Sequence, residues 1–367
     1  MKKVFAALLS ICLALSLCGC DSWMDGSYYN IVPHPENDDS ISQEAVEIRT
    51  YLELRTFLVN LVAEGGEHAI VVFKGFSLET VSSNMDTAIR YVTDSNAIGA
   101  YAVENINYEI GTNNGRTAAA VEVTYQHGRA EILRIKKANS IEEANRIVAE
   151  ALENCDAGVV FQINAYRDTD FTQLVQDYMD THPDKCMEMP QVSVAIYPER
   201  GQQRVVELSF TYQNSREDLR QMQSYVEPVF TASELNVQGE EDESAKFTRI
   251  YSFLMERADY QIETSITPSY SLLRHGVGDS KAFATVYAAM CTSAGLDCRI
   301  VTGTRAGVPW VWNIICENGV YYHVDLLQSS GKGMLYRFEP DDMQGYVWDY
   351  SAYPPSGTAA EDVAGTE

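Results

Sequence analysis

The residues equipped for bond chemistry lie near the C-terminal end of this 367-residue chain. Ser280 opens a predicted amphipathic helix, directly after the run Gly276-Val277-Gly278-Asp279. A serine hydroxyl is a poor nucleophile unless an adjacent base takes its proton. Two histidines stand near in sequence: His275, in the loop before the helix, and His323, two residues before Asp325 on a predicted strand. Residues i and i+2 of a strand share a face, so His323 and Asp325 point the same way, and either His323 or His275 is a candidate substitute base for Ser280. Trp310 can abstract no proton, because an indole N–H only donates. Lys281 directly follows Ser280 and would point away from it, and the S-x-x-K spacing of serine–lysine enzymes is absent. The alternative role for Ser280 is a helix N-cap, which serine fills well.

Other chemical signatures are missing from the sequence. It contains no GxxxxGK phosphate loop, no HExxH and no EF-hand loop. Cys155, Cys186, Cys291, Cys298 and Cys316 form an odd, sparse set without CxxC spacing or a nearby histidine pair. They read as small buried apolar residues rather than as a zinc site or a disulfide framework, with Cys291 and Cys298 the one pair placed to join. No metal and no cofactor is expected. The formal net charge of −25 makes nucleic acid an unsuitable partner, since such a surface repels phosphates. The acidic run Gly239-Glu240-Glu241-Asp242-Glu243 reads as a solvated loop.

The elements that must position Ser280, Trp310 and Asp325 follow from periodicity. The predicted helix runs from Ser280 to about Ser293, and Gly295 stops it. Cys298 to Gly303 is a strand, Trp310 to Ile315 a second, and Tyr321 to Asp325 a third, the last two joined by a turn at Asn318-Gly319. Upstream, two anchors recur at almost one offset. Ala69-Ile70-Val71-Val72-Phe73 matches Ala157-Gly158-Val159-Val160-Phe161, and Val123-Thr124-Tyr125-Gln126 matches Phe210-Thr211-Tyr212-Gln213. Each copy gives helix, strand, helix and two alternating strands, which predicts a tandem pair of α-β-α-β-β modules.

At the N-terminus, Lys2 and Lys3 precede a short apolar run, Val4 to Leu17, the pattern of a secretory signal. Leu17-Cys18-Gly19-Cys20 resembles the bacterial lipobox. That resemblance implies acylation of Cys20, export, and a lipid-anchored protein on the outer face of the bacterial cytoplasmic membrane.

The C-terminal segment, about Ala245 to Tyr353, resembles the core of transglutaminase-like proteins of the papain-like superfamily. Phe338-Glu339-Pro340-Asp341-Asp342-Met343, Tyr346-Val347-Trp348-Asp349-Tyr350 and Tyr353-Pro354 resemble the closing segment of bacterial members. In that family a cysteine opens the helix, a histidine lies on the next strand in an H-A-W-N-like stretch, and an aspartate follows in a Y-Y-V-D-like stretch. By this resemblance Ser280 falls at the cysteine position, Trp310 at the histidine position and Asp325 at the aspartate position. Only the orienting acid is kept, which implies a domain without transglutaminase chemistry.

The expected organisation is a signal peptide at 1–19, a flexible tether at 20–45, α/β modules at 46–130 and 131–214, a transglutaminase-like domain at 215–354 and a disordered tail at 355–367, in an α+β fold. The expected function is a noncatalytic surface protein. It would bind peptide, peptidoglycan or a surface protein along aromatics that include Trp310, Trp312, Tyr322 and Trp348, or act as a scaffold. The alternative is a Ser280-dependent hydrolase or acyltransferase acting on peptides at the cell wall.

Overall fold

The computed structural model describes residues 45–262 and 265–363. The segments expected to be a signal peptide and a tether, and Cys20 expected to be acylated, lie outside the described residues, as does everything up to residue 44. No helix among the described residues is long and apolar enough to cross a membrane.

The fold is α+β, built on three larger sheets and one two-stranded ribbon. The first sheet is made by β1 (Val46–Ile48), β2 (His68–Phe73), β3 (Val103–Asn113) and β4 (Arg116–Tyr125), in the order β1-β2-β4-β3. Its helices are α1 (Tyr51–Ala63), α2 (Leu78–Asp94) and α3 (Ala97–Ala102). The second sheet holds β5 (Lys136–Ala138), β6 (Gly158–Ile163), β7 (Gln191–Tyr197) and β8 (Arg204–Thr211), in the order β5-β6-β8-β7, with α4 (Ile141–Glu153) and α5 (Phe171–Thr181). In both sheets the first pairing is parallel and the other two are antiparallel.

Local sequence accounts for the helices. Thr50, Ser77, Ser140 and Asp170 each cap one by accepting a hydrogen bond from the backbone N–H three residues on. Val81, Met85, Ala88 and Val92 put one apolar stripe of α2 into the core, where Ala119, Val121 and Val123 of β4 meet it. Each sheet also has a short strand, β1 or β5, that the α-β-α-β-β pattern lacks. Three residues are too few to show alternation, and a parallel partner leaves no turn signal beside them. The copies differ between their second helix and third strand. The first has α3, whose Tyr101 packs on Tyr197 and Val205 of the second sheet. The second has a nonhelical stretch over residues 182–190, whose Met187 enters the core of the C-terminal part.

That part begins with α6 (Arg216–Val237) and α7 (Glu243–Met255), followed by the ribbon of β9 (Asp259–Tyr260) and β10 (Val277–Gly278). Then come α8 (Ser280–Ser293), β11 (Cys298–Arg305), β12 (Val308–Glu317), β13 (Val320–Val324) and α9 (Leu326–Ser330). β14 (Tyr346–Trp348) and β15 (Thr358–Ala359) complete a sheet of order β14-β11-β12-β13-β15. Helix α8 is buried continuously from Ala282 to Cys291, as expected of a helix walled in on all sides. Alternation along β12 divides the residues between two cores: Ile315 faces α8, while Trp312 and Ile314 face Val301, Phe338, Tyr346 and Trp348.

The acidic run is a surface loop as far as Asp242, within which Glu240 pairs with Arg249 at 2.6 Å and Asp242 caps α7. One sequence expectation is corrected here. The segment after residue 354 is not a disordered tail as far as residue 363. Thr358 and Ala359 pair with Tyr321 and Val320, closing the otherwise open edge of β13, and Ser356 Oγ accepts the His323 backbone N–H at 2.8 Å. Cys155, Cys186, Cys291 and Cys298 are buried, as expected, whereas Cys316 is half-buried; Cys291 and Cys298, the pair placed to join, are free thiols here.

Candidate functional site

The start of α8 is set by its approach. Gly276 adopts a left-handed φ of 72°, and a Cβ there would stand 2.8 Å from the Arg257 carbonyl oxygen. Asp279 then caps the helix, its Oδ1 accepting the Ala282 N–H at 2.8 Å. Ser280 is therefore the first helical residue and not the N-cap, which corrects the alternative role read from sequence. Its Oγ accepts the backbone N–H of Val311 at 3.3 Å. β13 pairs with β12 only from Asn313 onward, so beyond that point one side of β12 lies open to the helix start.

β13 ends at Val324, and the next residue turns inward. Asp325 is 1% exposed and caps α9, with Oδ1 accepting from Leu327 N at 3.0 Å and Gln328 N at 3.2 Å. Its Oδ2 accepts the Trp310 indole N–H at 2.8 Å and the Tyr346 hydroxyl at 2.7 Å. Two donors on each oxygen occupy the lone pairs of this carboxylate. Burial, reinforced by the adjacent Asp325 charge, holds the Tyr346 phenol far above its usual range, so it stays a donor. Tyr346 escaped the sequence analysis as a site residue, although its alternation with Trp348 on β14 pointed both at the same core.

Trp310 and Asp325 are thus joined directly and Ser280 lies against the backbone of the next residue, Val311, while His323 turns to other partners. Its Nδ1 accepts the Trp312 indole N–H at 2.8 Å, which leaves the proton on Nε2, facing the Pro354 carbonyl oxygen at 2.9 Å. Burial drives its pKa down to about 4. With its acceptor nitrogen taken by Trp312 and its N–H facing Pro354, the imidazole has no free lone pair for Ser280, so the substitute-base expectation for His323 is not met. His275 packs edge-on against Tyr270, and among the described residues neither histidine is hydrogen-bonded to Ser280.

The four aromatics expected to line a binding surface are separated by the fold. Trp312 is 1% exposed and Trp348 is buried, its indole N–H donating to Tyr353 O at 2.9 Å. Tyr322 pairs with Ile315 on the opposite face of the sheet, against the α8 core. Trp310 is partly open, like Tyr322, but on the face that meets Asp325. Its ring meets the exposed Tyr260 at 5.7 Å between centroids, and the Arg305 guanidinium lies 5.3 Å from it. Tyr260 and Arg305 gave no signal in the sequence, because β9 is two residues long and Arg305 is brought in by the β11–β12 turn.

Residues 231–331 match the family model described as the transglutaminase-like superfamily. The C-terminal domain is transglutaminase-like. Helix α8 and the strands β11 to β13 all fall within the matched residues, and β14 and β15 extend the sheet beyond them. Among solved structures, the chain is similar to a TGase at 10% identity and a TM-score of 0.26, with 61% of this chain and 66% of that one covered. It is also similar to a chain named provisionally as a cysteine protease from Cytophaga hutchinsonii, at 10% identity and a TM-score of 0.26, with 43% and 70% covered. A third likeness is to a chain named provisionally as a protease from Parabacteroides distasonis, at 8% identity and a TM-score of 0.23, with 70% and 39% covered. The chain spans just under two thirds of the first of these structures. No curated protein matches the chain. Among the described residues no group of three or more His, Cys, Asp or Glu side chains could hold a metal ion.

Proposed function

We propose that this chain is an exported protein, anchored through acylated Cys20, whose transglutaminase-like domain binds extended peptide or cell-wall glycopeptide at the cell surface without catalysing acyl transfer. The observation that carries this reading is the Trp310 indole N–H donated to Asp325 at 2.8 Å. At the position where the family resemblance places a proton-accepting imidazole stands a ring that only donates, and the acid that would orient that imidazole is committed to it. Without a base, the Ser280 hydroxyl stays protonated at neutral pH and is a poor nucleophile. The half-buried Trp310, with Tyr260 beside it, offers the flat apolar surface on which peptides and sugars pack.

The test pairs binding with activity-based labelling. Fluorescence titration of the full chain with peptidoglycan stem-peptide fragments should show saturable binding that Trp310→Ala weakens at least about tenfold, the loss expected of a central aromatic anchor. A serine-directed fluorophosphonate should leave Ser280 unlabelled. Saturable, heat-sensitive labelling at Ser280 would instead establish the hydrolase alternative.

A further inference from the structure

Beside Ser280 lies a cavity of about 270 Å³ between the second repeat module and the transglutaminase-like domain. Asp279 and Lys281, the residues on either side of Ser280, both line it. Its apolar walls come from Met179 of α5, from Met187 and Met189 of the 182–190 stretch, and from Ile266 of the C-terminal part. Met189 is 36% exposed and Ile266 50%.

The charged side chains around this space are already committed. The buried Glu188 carboxylate accepts from Gln213 N at 2.5 Å, Asn214 N at 3.1 Å and Asn214 Nδ2 at 2.6 Å. Lys281 Nζ is paired with Asp180 at 2.8 Å, and Asp279 caps α8. Thr285 donates to Ala282 O at 3.2 Å. What the cavity offers a guest is therefore chiefly thioether and hydrocarbon, with Gln176 and Gln213 also in the lining. Charged ligands would be desolvated there without compensation. Its volume falls just short of the roughly 300–1,000 Å³ typical of small-molecule sites, which suits a side chain better than a cofactor.

A second observation points the same way. The 182–190 stretch is where the two modules differ: the first copy carries α3 at this point, and α3 docks that copy on the next sheet. In the second copy the corresponding residues lie against the transglutaminase-like domain, burying Met187 and leaving Met189 at the cavity.

We infer that this cavity is a specificity pocket for one aliphatic side chain, of leucine or methionine type, in an extended peptide that passes Ser280 and Trp310. The inference deepens the peptide-binding reading and rests on it. The second module then supplies one wall of the ligand site, and flexible methionine side chains let the pocket adapt to more than one aliphatic shape.

The test uses the full chain from residue 20, unacylated and labelled with ¹³C-methyl methionine, titrated with N-acetyl-leucine methylamide. Saturable shifts are expected at the Met179, Met187 and Met189 methyls, and the glycine and aspartate analogues should bind at least about tenfold more weakly. Ile266→Asp and, from the second module, Met189→Lys should each weaken the leucine titration by a similar factor. Unchanged methyl signals away from the cavity report that both variants fold. Equal shifts with the glycine analogue, no saturable shift, or indifference to both variants would overturn the pocket. Loss of the titration in Trp310→Ala would also overturn it, by placing the amide on the Trp310 ring. Stem-peptide binding without aliphatic preference defeats the pocket alone. Leucine binding without any stem-peptide binding defeats the cell-wall reading and leaves the pocket standing.

Discussion

Trp312 donates its indole N–H to Nδ1 of His323 across 2.8 Å, so the imidazole is held neutral inside the sheet with its one proton on Nε2. The two residues face each other from adjacent strands: Ile314 pairs with His323, and Trp312 lies one step along the same face. A charged imidazole there would lose the Nδ1 acceptor and repel the indole hydrogen.

Stability should therefore fall on acidification in a way that His323 dominates. Its folded pKa of about 4 lies below the unfolded value near 6.5, so the native state resists protonation. The contribution is fully present above pH 6.5 and is lost as the pH falls toward 4, and it amounts to roughly 3 kcal/mol. Urea denaturation across this range should give a steep loss in the native chain and a shallower one in His323→Gln. Parallel profiles for the two proteins would refute the assignment.

Trp310→Phe keeps an aromatic ring but removes one of the two donors to Asp325 Oδ2. A hydrogen bond to a charged group contributes about 1.5–3 kcal/mol, so thermal or urea unfolding should show a loss of that order. Tyr346→Phe should cost a comparable amount. The double variant should cost more than the sum of the two, because the buried oxygen then has no donor left. Simple additivity in the double-mutant cycle would argue that water replaces the missing donors.

Asp279→Ala should destabilise the protein by about 0.5–2 kcal/mol, as loss of a helix N-cap does. Ser280→Ala should cost less, because the hydroxyl accepts a single long bond from Val311 N and caps nothing. A reversed ranking in equilibrium unfolding would restore the N-cap role to Ser280.

Replacing Ser280 by Cys and Trp310 by His together should create a reactive thiol. The imidazole would sit between the helix start and Asp325, and the thiol pKa should drop from about 8.5 into the range of about 3.5–7.5 seen at activated cysteines. Iodoacetamide alkylation at pH 6 should then be faster than for Ser280→Cys alone. Equal rates would mean that the two positions do not meet as they do in a thiol enzyme.

Much of this arrangement is legible in the chain itself. Capping residues such as Ser77 and Ser140, the alternation in β12 and β13, and the duplicated Thr-Tyr-Gln anchors are local or periodic signals, and the corresponding elements form within a few residues of where they are expected. The covalent order also fixes that Ser280 opens a helix and that an indole, not an imidazole, stands at position 310.

Partnership was decided only by the tertiary structure. Periodicity put His323 and Asp325 on one face, yet it could not say that Trp312 would take one and Trp310 the other, since each contact joins strands whose register depends on the whole sheet. The same holds for the methionine-lined cavity, whose walls come from segments some eighty residues apart in the chain. Hydrogen bonds and apolar contacts act over a few ångströms of space, and sequence separation carries no information about that distance once the chain has folded back on itself.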